Sequence, residues 1–171
     1  MTLKEQIKGS FPSGVGFPGE LAALCDWAED GRDISGGFRL LPDKVGVIKK
    51  WFGHDRAAKY FGAFAHDYDG SVYAIWQPEG QGRKVVFLGS EGEPLLVLAD
   101  DFVDFLRLLA IGYDEIGFSD LSEPPEENVA SEDFAEWVRE EFGVGIPETG
   151  AEIVDVDDRS FEDWVGGHIG G

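Results

Sequence analysis

The string His66-Asp67-Tyr68-Asp69-Gly70-Ser71 holds the most suggestive chemistry in the chain: two carboxylates at i and i+2, then a hydroxyl, after an apolar run. An Asp-x-Asp-Gly-Ser loop suits phosphatases in which one carboxylate attacks phosphorus, the other moves the proton and magnesium screens both. The later pieces, Leu88-Gly89-Ser90 and Asp100-Asp101, follow too closely, across β-type sequence where that fold needs crossover helices between parallel strands. Calcium fares no better. Asp67, Asp69 and Ser71 match the first three ligand positions of an EF-hand loop, but Val72 stands where glycine is needed and Pro78 where the closing glutamate belongs. Two readings of the string remain. It is a hairpin turn whose aspartates bond their own backbone, or a loop that offers carboxylates to a partner.

Other reactive residues are dispersed. His54, His66 and His168 form no local ligand pair, and Cys25 is the only cysteine, so neither a disulfide within the chain nor a Cys/His zinc cage can form. Cys25 lies on an apolar helical stripe with no basic neighbour in sequence, which makes it a small core residue. No nucleophile elbow, Walker loop or dinucleotide fingerprint is present, and Gly80-x-Gly82 falls between strands. Acids are abundant, but no spacing singles out a glycosidase pair. The sequence assigns no catalytic residue, cofactor or metal.

The elements that carry these residues can be read from periodicity. Leu21, Leu24, Cys25 and Ala28 recur at helical spacing behind Pro18, and Gly31 ends the run. Gly37 to Leu41 and Val45 to Ile48, around Pro42-Asp43-Lys44, predict a short hairpin, with a basic helical link from Lys49 to Lys59. Apolar runs at 60–65, 72–76, 84–88 and 94–98, separated by Asp69-Gly70, Pro78–Gly82 and Glu91-Gly92, predict an antiparallel meander. Phe102, Phe105, Leu106 and Leu109 form the stripe of a helix packed on a sheet, closed by Gly112. The expected fold class is α+β, a mainly antiparallel sheet of four to six strands flanked by helices.

Charge divides the chain. The net formal charge is −20, yet residues 1–111 carry 16 acids and 12 bases, and residues 112–171 carry 18 acids with only Arg139 and Arg159. The final third is no bare acidic tail. Ser131 can cap a helix with Glu132 and Asp133 at its positive end, Phe134, Trp137 and Val138 share a face, and Phe161 and Trp164 mark another short helix. Ser119 to Val129, with Pro124-Pro125, reads as a linker. The expected organisation is a core over residues 1–118 and an acidic, partly helical extension over 119–171 whose aromatics dock on the core.

Such acidity repels a phosphate backbone or an anionic membrane and attracts a basic protein. Met1 to Ser10 lacks the apolar core of a signal peptide and no stretch nears membrane-helix length, so the expected location is cytoplasmic. The carboxylates expected to meet a partner are Asp67 and Asp69 in the turn, and Glu136, Glu140 and Glu141 on the acidic helix.

Phe17-Pro18-Gly19-Glu20-Leu21 opening a helix, Phe61-Gly62-Ala63-Phe64-Ala65 then Asp67, Gly70-Ser71 and Tyr73-Ala74-Ile75-Trp76, and Val85 to Ser90 followed by Leu98-Ala99 and Phe102 to Leu106, together resemble the SUKH superfamily, related to the fungal regulator of cell-wall glucan synthesis. The resemblance spans roughly Gly14 to Phe118. Ser35-Gly36-Gly37 stands, displaced, for the family's Asn-Gly-Gly-like element, and the acidic segment after Gly112 lies outside the common core. The resemblance implies an α+β fold without catalytic residues, and an immunity-type protein that neutralises a cognate toxin, often a nuclease with a basic surface. An intracellular adaptor of the same fold, or an acid-dependent hydrolase, are the alternatives.

Overall fold

The computed structural model describes residues 1–169. It is an α+β arrangement. Helices α1 (Leu3–Ser10) and α2 (Gly19–Trp27) precede strand β1 (Arg39–Leu40) and helix α3 (Val47–Phe52). Strands β2 (Phe61–His66), β3 (Val72–Trp76), β4 (Lys84–Leu88) and β5 (Leu95–Ala99) follow, then helices α4 (Phe102–Ile111), α5 (Glu132–Phe142) and α6 (Ser160–Gly166). The five strands form one antiparallel sheet in the order β1-β2-β3-β4-β5. The meander expected from the four apolar runs is therefore present, with β1 added at its edge. Among the described residues no helix is long and apolar enough to cross a membrane.

Strand β3 is buried at every position, which explains why it reads as a continuous apolar run without alternation. Its two faces meet two separate cores. Tyr73 and Ile75 face the larger core, with Phe64, Phe87, Leu98 and the buried sides of α1, α2, α4 and α5. Val72, Ala74 and Trp76 face the smaller one, with Phe61, Val86, α3 and α6. The pairing register shifts between Ala63 and Ala65, and again between Val85 and Val86. At the first shift Phe64 and Ala65 turn consecutively to the larger core, as a bulge allows.

The hairpin expected over Gly37 to Ile48 does not form. β1 pairs instead with β2, Arg39 opposite His66, and the chain from Val47 is helical. Asp43 Oδ1 accepts the N–H groups of Val45, Gly46 and Val47 at 3.2, 2.8 and 3.1 Å, serving the orphan donors at the start of α3. Gly46 there takes a left-handed conformation (φ 70°), which a β-branched residue would resist. Ile48 and Phe52, one helical turn apart, are the buried pair. At the N-terminus, α1 forms where the sequence reading saw only a polar segment. Thr2 caps it by accepting Glu5 N–H at 3.2 Å, and Ile7 is its buried residue.

The acidic third is bound into both cores. Helix α5 begins at Ser131, whose hydroxyl accepts Phe134 N–H at 3.3 Å. Phe134 and Val138 enter the larger core, and Trp137 stacks on Trp27 at 5.5 Å. Helix α6 covers the smaller core: Phe161 lies 4.9 Å from Trp76, and Trp164 packs edge-on to Phe61. The segment read as a linker is tied at both ends. Val129 N–H donates to Gly112 O at 2.9 Å, Ser131 N–H to Ile34 O at 2.9 Å, and the Tyr113 hydroxyl donates to Glu123 O. Cys25 is fully buried, and that burial, with Asp26 and Glu29 nearby, pushes its thiol up to about 12.

Phe161 is 1% exposed, so truncating it opens a cavity over the second face of the sheet. Phe161→Ala is expected to lose about 3–5 kcal/mol in urea denaturation. A loss below about 1 kcal/mol would place α6 off the sheet.

Candidate interaction surface

The β2–β3 turn is closed by its own aspartates. Asp67 accepts Tyr68 N–H at Oδ1 and the Tyr73 hydroxyl at Oδ2, both at 3.0 Å. Asp69 accepts Ser71 N–H at 2.9 Å and the Ser90 hydroxyl at 3.3 Å, and Ser90 N–H donates to the Ser71 hydroxyl, tying this turn to the one between β4 and β5. The string His66 to Ser71 is thus a self-bonded turn.

Their surroundings push the two carboxyls apart. Burial, opposed by the Tyr68 and Tyr73 hydrogen bonds, raises Asp67 above the usual carboxylate range. Burial also acts on Asp69, but the hydrogen bonds from Ser71 and Ser90 outweigh it and hold that carboxyl low. Divergent carboxyls are what acid–base catalysis needs. Here both oxygens of each are engaged within the protein, and neither residue lines the cleft described below. Among the described residues no group of three or more histidine, cysteine or acidic side chains could hold a metal ion.

Asp67 is also 7% exposed, which removes it from the expected contact residues. Its place beneath the turn depends on Gly37: a Cβ there would lie 2.4 Å from Asp67 Oδ1 and from the Tyr68 ring. Asp69, by contrast, is exposed.

A concave part of the surface lies elsewhere. A two-lobed cleft runs along the C-terminal third, its lobes joined at Pro124-Pro125. The larger, about 890 Å³, lies between the end of α4, α5 and the Ile146-Pro147-Glu148 segment. Ile111, Ala135, Ile146 and Pro147 give it an apolar lining, and Glu132, Glu136 and Glu148 stand with Arg139 around it. The smaller, about 540 Å³, is lined by Tyr113 and Val129 and by Asp114, Asp120, Glu123, Glu126 and Glu127. Among the described residues none of these eight carboxylates is in an ion pair.

Glu136 is therefore placed at the cleft, whereas Glu140 and Glu141 are exposed on α5 outside its lining. Asp120, Glu123, Glu126 and Glu127 lie in the segment whose composition reads as a linker, and Asp114 just before it, so local pattern gives no reason to expect a cavity there. The signal available was Pro124-Pro125 set among four acids.

No protein-family model, no curated protein and no solved structure matches this chain.

Two measurements separate the roles of these acids. A carboxyl whose pKa is raised by folding stabilises the native state only in its protonated form. The Asp67 contribution is therefore complete below its unfolded value near 3.8, and is lost as pH rises through the higher folded value. Asp67→Asn should flatten the fall in denaturation free energy on raising the pH from 3.8; an unchanged slope would remove Asp67 as its source. On α5, Glu140 and Glu141 occupy the last turn, where the helix dipole disfavours a negative charge, and Glu140 lies four residues from Glu136. Glu140→Gln and Glu141→Gln should each raise stability by about 0.3–1 kcal/mol at low ionic strength. A fall in melting temperature would show that these acids serve the fold.

Proposed function

We propose that this chain is a non-catalytic protein-binding domain of the immunity type, which covers a basic partner such as the cationic surface of a nuclease-like toxin. The observation that carries the reading is the cleft: eight carboxylates without ion-pair partners among the described residues, around an apolar lining, on the part of the chain with the fewest bases. An apolar floor rewards burial, while a rim with eight acids to one arginine selects a cationic partner and accelerates its encounter. The order of the elements agrees with that of the SUKH-like pieces: a helix at Gly19–Trp27, four consecutive strands, then a closing helix at Phe102–Ile111. The engagement of Asp67 and Asp69 in their own turn favours binding over acid-dependent hydrolysis.

The test is association with any toxin domain encoded beside this gene. Combined Glu126→Lys, Glu127→Lys and Glu136→Lys should slow association at low ionic strength by at least about tenfold. The gap between this variant and the wild type should close as salt rises, since screening removes long-range steering. Association rates insensitive to both the substitutions and salt would place the partner on another surface.

A further inference from the structure

Large side chains that remain exposed in an otherwise well-buried aromatic set call for explanation: one is in the β2–β3 turn, the other shortly after Asp114, which approaches Gly36 just as Tyr68 approaches Gly37. Tyr68, at the β2–β3 turn, is 62% exposed, and Phe118, in the short 3-10 turn Ile116–Phe118, is 53% exposed. Neither ring hangs free. The Tyr68 ring rests on Gly37, so closely that a Cβ there would meet its Cδ2 at 2.4 Å. Phe118 packs edge-on to Phe87 at 6.0 Å, and the preceding Gly117 lies so near the Phe87 ring that a Cβ would fall 2.3 Å from it. Each ring is seated on one side and open to solvent on the other, which is how an interface anchor is presented before binding.

The carboxylates around the rings share one electrostatic neighbourhood. Asp114 lies beside Tyr68, its carbonyl and Oδ1 within 2.9 Å of where a Gly36 Cβ would stand. Burial, then the charges of Asp67, Asp114 and Asp69, push the Glu115 carboxyl up. The cation closest to hand, Arg39, spends its Nη1 on the carbonyls of Gly36 and Phe38 at 2.9 and 2.8 Å. Asp114 also lines the smaller lobe of the cleft, so the patch continues the acidic surface.

Resting on the reading of a basic protein partner, we infer that Tyr68, Phe118, Asp69, Asp114 and Glu115 together form one patch, an anchor point for an arginine side chain of that partner. A guanidinium suits both features at once. Its plane stacks on an aromatic face while its forked donors meet a carboxylate. A lysine ammonium satisfies the charge alone, as a strongly hydrated point. The charged cleft then governs encounter with basic surfaces in general, and the aromatic patch chooses among them.

Two probes separate these roles: an unstructured peptide of alternating glycine and arginine, and its lysine counterpart of equal length and charge. Each is titrated into the 15N-labelled full chain, with affinity measured calorimetrically. The arginine peptide should shift the amide resonances of residues 68–69 and 114–118, and bind roughly two- to fivefold more tightly than the lysine peptide. Tyr68→Ala and Phe118→Ala, checked for unchanged melting temperature, should erase that preference and leave lysine-peptide binding intact. Glu126→Gln with Glu127→Gln should weaken both peptides alike and keep the preference. Equal affinity for the two peptides, or shifts confined to residues 120–148, would overturn the arginine anchor and leave the basic-partner reading standing. No binding of either peptide would overturn both.

Discussion

A sheet that is apolar on both faces must be covered on both, and the rest of this structure follows from that requirement. Strand β3 presents Tyr73 and Ile75 to one side and Val72, Ala74 and Trp76 to the other, all buried. The first 111 residues furnish three helices for the larger core, α1, α2 and α4, and only the six-residue α3 for the smaller. Phe61 and Trp76 would be left open to water without a further element. The C-terminal third supplies it as α6 and, on the way, lays α5 against the larger core. The path of the acidic segment is thus set by aromatic burial, and its charges go where that path takes them.

Magnitudes show why the docking survives the charge. Burying a side chain such as Phe or Val contributes about 1.5–3 kcal/mol, and Phe134, Val138, Phe161 and Val165 are all buried. A like-charge pair one helical turn apart costs only about 0.2–0.5 kcal/mol. Even several such pairs cannot lift α5 from the larger core or α6 from the sheet. Solvent screens the carboxylates most cheaply where they stand apart, yet Pro124-Pro125 and the ties at Gly112, Tyr113 and Ile34 gather them at one cleft. Gly112 is central to this arrangement. It ends α4 in a left-handed conformation (φ 97°), and any Cβ on it would collide with Asn128 Oδ1, so the loop that carries Glu126 and Glu127 closes directly over the helix end.

Those parts of the fold set by local pattern were legible in the sequence. Apolar runs bounded by Asp-Gly and Glu-Gly gave the meander, and the Phe102, Phe105, Leu106, Leu109 stripe gave α4. The hairpin expected over Gly37 to Ile48 does not form because tertiary context overrides the β propensity of Val45, Val47 and Ile48. The helical spacing of Ile48 and Phe52, together with Asp43 as a cap, carried the contrary signal. The Thr2-x-x-Glu5 cap likewise signals helix α1, in a segment whose overall polarity hides it. The candidate surface was less legible. Whether an aspartate in a turn faces solvent depends on what packs beneath it, and Asp67 is buried because Gly37, thirty residues away, approaches without a side chain. Tyr68 and Phe118 read as ordinary apolar residues; their exposure follows from seats built by glycines that no local pattern marks as contacts.

That difference bears on how such a surface recognises a partner. Carboxylates on mobile stems attract any cation at a distance and lose that pull as salt rises. Rings already fixed against Gly37 and Phe87 lose little freedom on contact, so their contribution is retained after encounter. With a basic partner as proposed, the arrangement would separate two tasks along one surface: the cleft would raise the rate at which basic surfaces arrive, and the seated aromatics would set how long the matching one stays. A change in carboxylates far from the rings should then act mainly on association, and a change in the rings mainly on dissociation.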